Sequence, residues 1–141
     1  MRRAGRVAAL QLLYQLDATS RYDSLEEVIA LHFEHLEPAV PEEARRFAEE
    51  LCRGLVPRLE ELDARIERAS EHWRLERMSR VDRCILRLAA HELSSDLVGT
   101  PPRVAISEAV ELAQGFGASE SAAFINGVLS RVAQDLHLDV R

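Results

Sequence analysis

The chain contains no lysine: all 18 of its basic residues are arginine. Arginine forks onto phosphate oxygens and stacks on bases, which suits nucleic-acid contact, although arginine-rich codon usage gives the same composition. Aromatic residues are scarce at 5%, so the core must be built from Leu, Val, Ile and Ala. Cys52 and Cys84 are too few and too far apart for a disulfide framework or a zinc site. Both fall in apolar helical patterns and read as small buried thiols, as in a reducing cytosol. No stretch approaches 18 uninterrupted apolar residues, so no segment is expected to span a membrane. The arginine-led N-terminus resembles a signal peptide, but Gln11 and Gln15 interrupt its apolar run and no cleavage site follows cleanly. Glycine-rich phosphate loops, nucleophile elbows and the glycine patterns of cofactor folds are all missing. The carboxylate pairs Glu42-Glu43, Glu49-Glu50 and Glu60-Glu61 are interleaved with arginines, as on a solvated helix face. His32 and His35 stand three apart, but no third group joins them convincingly. The expectation is therefore a protein without catalytic residues, cofactor or metal.

What remains is helical. The 141 residues, 47% hydrophobic, suffice for one domain spanning 1–141, with two small subdomains, about 1–72 and 73–141, sharing a core. Apolar residues recur at the 3.6 period throughout and β-branched alternation is absent, which predicts an all-α fold of about seven helices and no sheet. A first helix is expected from about Arg3 to Ala18, with Ala9, Leu12, Leu13 and Leu16 inward. Ser24-Leu-Glu-Glu27 reads as a capping box that opens a second helix through Leu36. Pro41 suits a first helical position ahead of a long stretch from Glu42 to about Ser70, which Gly54 and Pro57 should kink or split. Trp73 to Met78 reads as a connector. Ser79 should cap a helix reaching Ser95, apolar along both the Val81–Ile85–Leu88 and the Leu86–Ala89–Leu93 lines and hence central. The last two helices should cover Arg103 to Gly115 and Ser119 to His137.

Two faces stand outside the core stripes. On the first helix, Arg3, Val7, Gln11 and Tyr14 lie opposite the apolar stripe, flanked by Arg2 and Arg6. They combine phosphate-binding charge, an amide and a stacking ring. The alternative is a half-buried Tyr14 among solvated arginines. On the last helix, Phe124 sits roughly 100° from the core stripe Ile125, Val128, Leu129, Val132 and Leu136, beside Glu120, Gly127 and Arg131. Such a Phe either packs on a neighbouring subdomain or stacks on a ligand. Gly127 has an ordinary explanation, a close helix approach, and Asn126 can bond a neighbouring backbone.

Three blocks, Arg2-Arg-Ala-Gly-Arg6 leading into Ala9-Leu-Gln-Leu-Leu-Tyr14, Val81-Asp-Arg-Cys-Ile-Leu-Arg-Leu-Ala-Ala-His-Glu-Leu93, and Val104 to Leu129 with Phe124-Ile-Asn-Gly-Val-Leu, resemble the NusB family of transcription antitermination factors. They keep the family's order across nearly the whole chain. The resemblance implies a helical fold of two subdomains. It implies binding to the single-stranded boxA element of ribosomal-RNA leader transcripts together with NusE, a small-subunit ribosomal protein, in the RNA polymerase antitermination complex. Carried over by position, the RNA residues are Arg2, Arg3, Arg6, Gln11, Tyr14, Phe116, Glu120 and Phe124, and Asp82 falls in the region facing the ribosomal protein. A cytoplasmic protein follows, monomeric or a homodimer, since the family contains both. Gln114 and Ala123 stand where lysines are common in the family, Ser107 where Asn is usual, and Ala4-Gly5 interrupts the arginine run. Fewer charges imply fewer phosphate contacts and more reliance on the protein partner. Two other readings share the pattern: the RNA-binding domain of an rRNA cytosine methyltransferase, and a helical protein-interaction module without RNA.

Overall fold

The computed structural model describes residues 2–140. Among them the regular structure is helical, with no strand: α1 Arg2–Thr19, α2 Leu25–Leu31, α3 Glu42–Leu55, α4 Leu59–Ala69, α5 Arg80–Ser94, α6 Pro102–Phe116 and α7 Ser121–Asp135. The expected break in the long third stretch is real. Pro57 has no N–H to continue the ladder, and the chain winds a 3-10 turn over Val56–Arg58 before α4 begins. The second helix also departs from the α geometry, loosening into a π turn over His32–Leu36. Pro41 stands just before α3 as its N-cap, whereas Pro102 opens α6.

One cap forms as the sequence suggests and one does not. Ser79 has extended backbone, φ −61° and ψ 153°, and its Oγ accepts a hydrogen bond from the Asp82 N–H at 3.1 Å. Ser24 makes no capping bond to α2. It closes a 3-10 turn over Tyr22–Ser24, its own N–H donating to the Arg21 carbonyl at 2.9 Å. With φ −113° and ψ 31°, it lacks the extended backbone that aims a hydroxyl at the third turn residue.

The chain divides into two compact units, Met1–Pro57 and Arg58–Arg141. In the first, α1 packs on α3 and α2. The α1–α3 approach is close at Gly5, where a Cβ would lie 2.8 Å from the Phe47 ring and 3.0 Å from the Ala44 carbonyl oxygen. The glycine that interrupts the arginine run is therefore a place of close approach between α1 and α3. Ala8, Leu12, Leu13 and Leu16 of α1 and Leu51, Cys52 and Leu55 of α3 are buried.

In the second unit α5 contacts α4, α6 and α7, the central place its two apolar lines require. Every residue from Cys84 to Leu93 is buried, including three polar ones, and each has a partner. Arg87 grips Asp63 with two hydrogen bonds of 2.8 and 3.0 Å. Glu92 accepts from the Thr100 hydroxyl at 2.8 Å. The His91 Nδ1 accepts from Arg58 Nη1 at 2.9 Å. Burial pushes the His91 imidazole down to about 4, and the Arg58 charge adds to the effect. These pairings satisfy groups that would otherwise be costly to bury.

Candidate nucleic-acid interface

On α1 the predicted face divides in two. Arg2 and Arg3 are exposed, Tyr14 keeps 42% of its surface in solvent, and Val7 and Gln11 are half-buried. Arg6 is different: only 3% of its surface is exposed. Its guanidinium lies 5.4 Å from the Phe47 ring centroid, and that of Arg2 lies 4.5 Å from the same centroid. Phe47 thus anchors the arginine-rich turn by cation–π attraction from α3. Arg2 also lines a small cleft of about 220 Å³ with Glu43, Arg46, Phe47 and Glu50.

The second face is set by the α6–α7 turn. Gly117 ends α6, its N–H donating to the Ala113 carbonyl at 2.8 Å. A Cβ there would fall 2.7 Å from the Ser121 side chain, whose Oγ accepts from the Ala118 N–H at 3.0 Å. Only a residue without a side chain lets the turn close this tightly. It leaves Phe116 47% exposed at the end of α6 and Glu120 exposed at the start of α7. The Glu120 carboxylate accepts from the Ser119 hydroxyl at 2.9 Å.

Phe124 is half-buried, off the Ile125–Val128–Leu129–Val132 stripe, as helical geometry requires. Its neighbour is Trp73, with ring centroids 5.7 Å apart at 61°. Sequence periodicity missed Trp73, which lies in the connector and on no helix stripe. Its only signal was being the single tryptophan. Gly127 corrects its expected role: nothing lies within 4 Å of where its Cβ would be, so it provides no close helix approach. Asn126 is exposed and borders a groove of about 440 Å³ between α6 and α7, which Ser107 and Gln114 also line.

Asp82 is half-buried at the first turn of α5, and its Oδ1 is buried with no hydrogen-bond partner. The histidine pair of α2 separates: His32 is buried and hydrogen-bonded through Nδ1 to Gln15 Nε2 at 2.8 Å, while His35 is exposed beside Glu34. Among the described residues, no group of three or more His, Cys, Asp or Glu is placed to hold a metal ion.

The sequence profile of the NusB family matches residues 3–134. The chain belongs to the NusB family. It is 46% identical over 139 residues to the transcription antitermination protein NusB of Myxococcus xanthus, covering 96% of each chain. With the NusB of Syntrophotalea carbinolica it shares 39% identity over 145 residues, covering 95% of this chain and 92% of that one. Among solved structures it is similar to T. maritima NusB, with TM-score 0.80 and 34% identity over 96% of this chain and 92% of that one. It is similar as well to a crystal structure of antitermination factors NusB and NusE in complex with double-stranded RNA, with TM-score 0.82 and 27% identity over 95% and 96% of the two chains. NusB proteins are transcription antitermination factors and not enzymes, in keeping with the missing catalytic motifs.

Proposed function

We propose that this NusB-family chain binds the boxA element of ribosomal-RNA leader transcripts together with NusE and helps RNA polymerase read through terminators. The observation that carries the reading is the pairing of exposed rings with charge and amide groups on two helix faces. Arg2, Arg3, Gln11 and Tyr14 form one, and Phe116, Glu120 and Phe124 the other. Arginines neutralise phosphates without reading sequence, whereas rings and polar side chains engage unpaired bases. Each face by itself offers contacts that single-stranded RNA uses. The burial of Arg6 against Phe47 gives it a supporting part: it holds the turn that presents Arg2 and Arg3. Asp82, half-buried at the first turn of α5, is the residue assigned to the NusE contact in this reading. The solved NusB–NusE–RNA complex of similar fold supports both partners.

The test is fluorescence anisotropy of labelled boxA RNA and a scrambled control, with this chain alone and mixed with NusE. Preferential binding of boxA, strengthened by NusE, is expected. Equal affinity for the scrambled RNA in the presence of NusE would overturn the boxA assignment.

A further inference from the structure

We infer that Trp73 is a further base-stacking residue, extending the aromatic platform of Phe124 to take an unpaired nucleobase of single-stranded RNA. The inference rests on the RNA-binding reading above and adds a residue outside both of its faces.

Trp73 keeps 51% of its surface in solvent, although a ring of its size is ordinarily well buried. It meets Phe124 at 5.7 Å and 61°, an edge-type contact that fixes the indole while leaving half of its surface free. The backbone is bent to place it there. Glu71 and His72, both non-glycine, adopt φ of 57° and 67°, a left-handed conformation that L side chains rarely hold in succession. Such strain persists only where the surroundings enforce it, and here the connector is pinned on both sides of the ring. The His72 N–H donates to the Glu67 carbonyl at 2.7 Å, the Ser70 hydroxyl donates to the Trp73 carbonyl at 3.1 Å, and the Leu75 N–H donates to the Glu67 carboxylate at 3.1 Å. The result is a rigidly presented, half-exposed indole. Arg74 and Arg77, both exposed, follow in the same connector, where Arg74 pairs with Glu76 at 2.8 Å. Rings next to arginines are what sequence-tolerant single-strand binding uses, because every base has a π face.

Trp73 is the chain's only tryptophan, so intrinsic emission reports this one site. Single-stranded boxA RNA is titrated into the full-length chain, alone and with a tryptophan-free NusE. Tryptophan emission, its quenching by acrylamide, and anisotropy of the labelled RNA are followed in parallel. Bound RNA should change the emission and shield Trp73 from acrylamide. Trp73→Ala should weaken RNA binding about tenfold or more, and Trp73→Phe should restore most of it. Circular dichroism on each variant separates a binding loss from misfolding, and Trp73→Phe serves should Trp73→Ala fail to fold. Anisotropy showing RNA bound while Trp73 stays equally open to acrylamide and Trp73→Ala binds as tightly would overturn this inference and leave the proposed function standing. Normal RNA binding by Trp73→Ala with weakened NusE recruitment would also overturn it, assigning the ring to the protein partner. If the unaltered chain binds no RNA even with NusE, both readings fall together.

Discussion

Two glycines in helices answer opposite physical demands. At Gly5 a methyl group would press on the Phe47 ring at 2.8 Å and on the Ala44 carbonyl at 3.0 Å, and the carbonyl belongs to backbone that cannot swing aside. Gly5→Ala is therefore expected to lower stability by about 1–3 kcal/mol, the usual cost of overpacking. At Gly127 a methyl group meets nothing within 4 Å. Glycine inside a helix is about 1 kcal/mol worse than alanine, so Gly127→Ala should raise the melting temperature. Thermal melts of the two variants should move in opposite directions, and a fall for both would mean that α7 is packed at Gly127 after all. Phe124 allows a related comparison. Truncating a fully buried Phe costs about 3–5 kcal/mol of folding free energy. Phe124 is half-buried and rests edge-on against an exposed ring, so Phe124→Ala should cost roughly 1 kcal/mol of stability and about 1–3 kcal/mol of RNA binding. A large drop in melting temperature with unchanged affinity would make it a core residue.

At the scale of elements, what could be read from the sequence was what periodicity and backbone chemistry carry. The two apolar lines of α5 required burial all round, and the structure buries Cys84 to Leu93 without a gap. Pro57 lacks an N–H, so the long third stretch had to break where it does. The failures arise where contacts between elements decide. Ser24 carries a capping sequence, but the preceding 3-10 turn sets its backbone wrongly. Arg6 reads as another surface arginine until α3 brings Phe47 beneath it. Trp73 belongs to no stripe, so nothing local linked it to Phe124, fifty-one positions away. The α1 end follows from the same distinction. Arg2 and Arg3 are exposed and Arg6 is buried, so Arg2→Ala with Arg3→Ala should weaken RNA binding and flatten its dependence on salt, each lost phosphate contact removing about 0.7 from the single-strand slope. Melting should barely shift for that pair, whereas Arg6→Ala should lower it, because a packed guanidinium is lost from the α1–α3 contact. A salt titration of RNA affinity checks the first statement. An unchanged slope would remove the arginine end of α1 from the interface.

Over the whole molecule the formal charge is −6, so an RNA-binding role depends on where the arginines sit, not on their sum. Stability as a function of pH is governed by different groups, the buried histidines. The His91 imidazole is held down to about 4, first by burial and then by the Arg58 guanidinium, against the opposing pull of Glu92 and Glu61. His32 is lowered too, by burial, with Glu37 opposing. Above pH 6.5 both imidazoles are neutral in the folded and unfolded chains and contribute no pH dependence. As pH falls below 6.5 the unfolded chain takes up protons that the folded chain refuses, so unfolding becomes easier. For His91 this continues until about pH 4, where the folded form also protonates. The loss from His91 alone should be on the order of 2 kcal/mol by pH 4.5. The carboxylates Glu26 and Glu61, held below their usual value of 4.5 by hydrogen bonds from Arg53 and Arg58, release their stabilisation only under more acid conditions. The interval from pH 6.5 down to about 5 therefore carries chiefly the histidine contribution. Denaturant unfolding across it should show stability falling with pH, and His91→Gln, whose amide oxygen can still accept from Arg58, should reduce that slope and leave the His32 share. A variant slope identical to that of the unaltered chain would show that His91 takes no part in it.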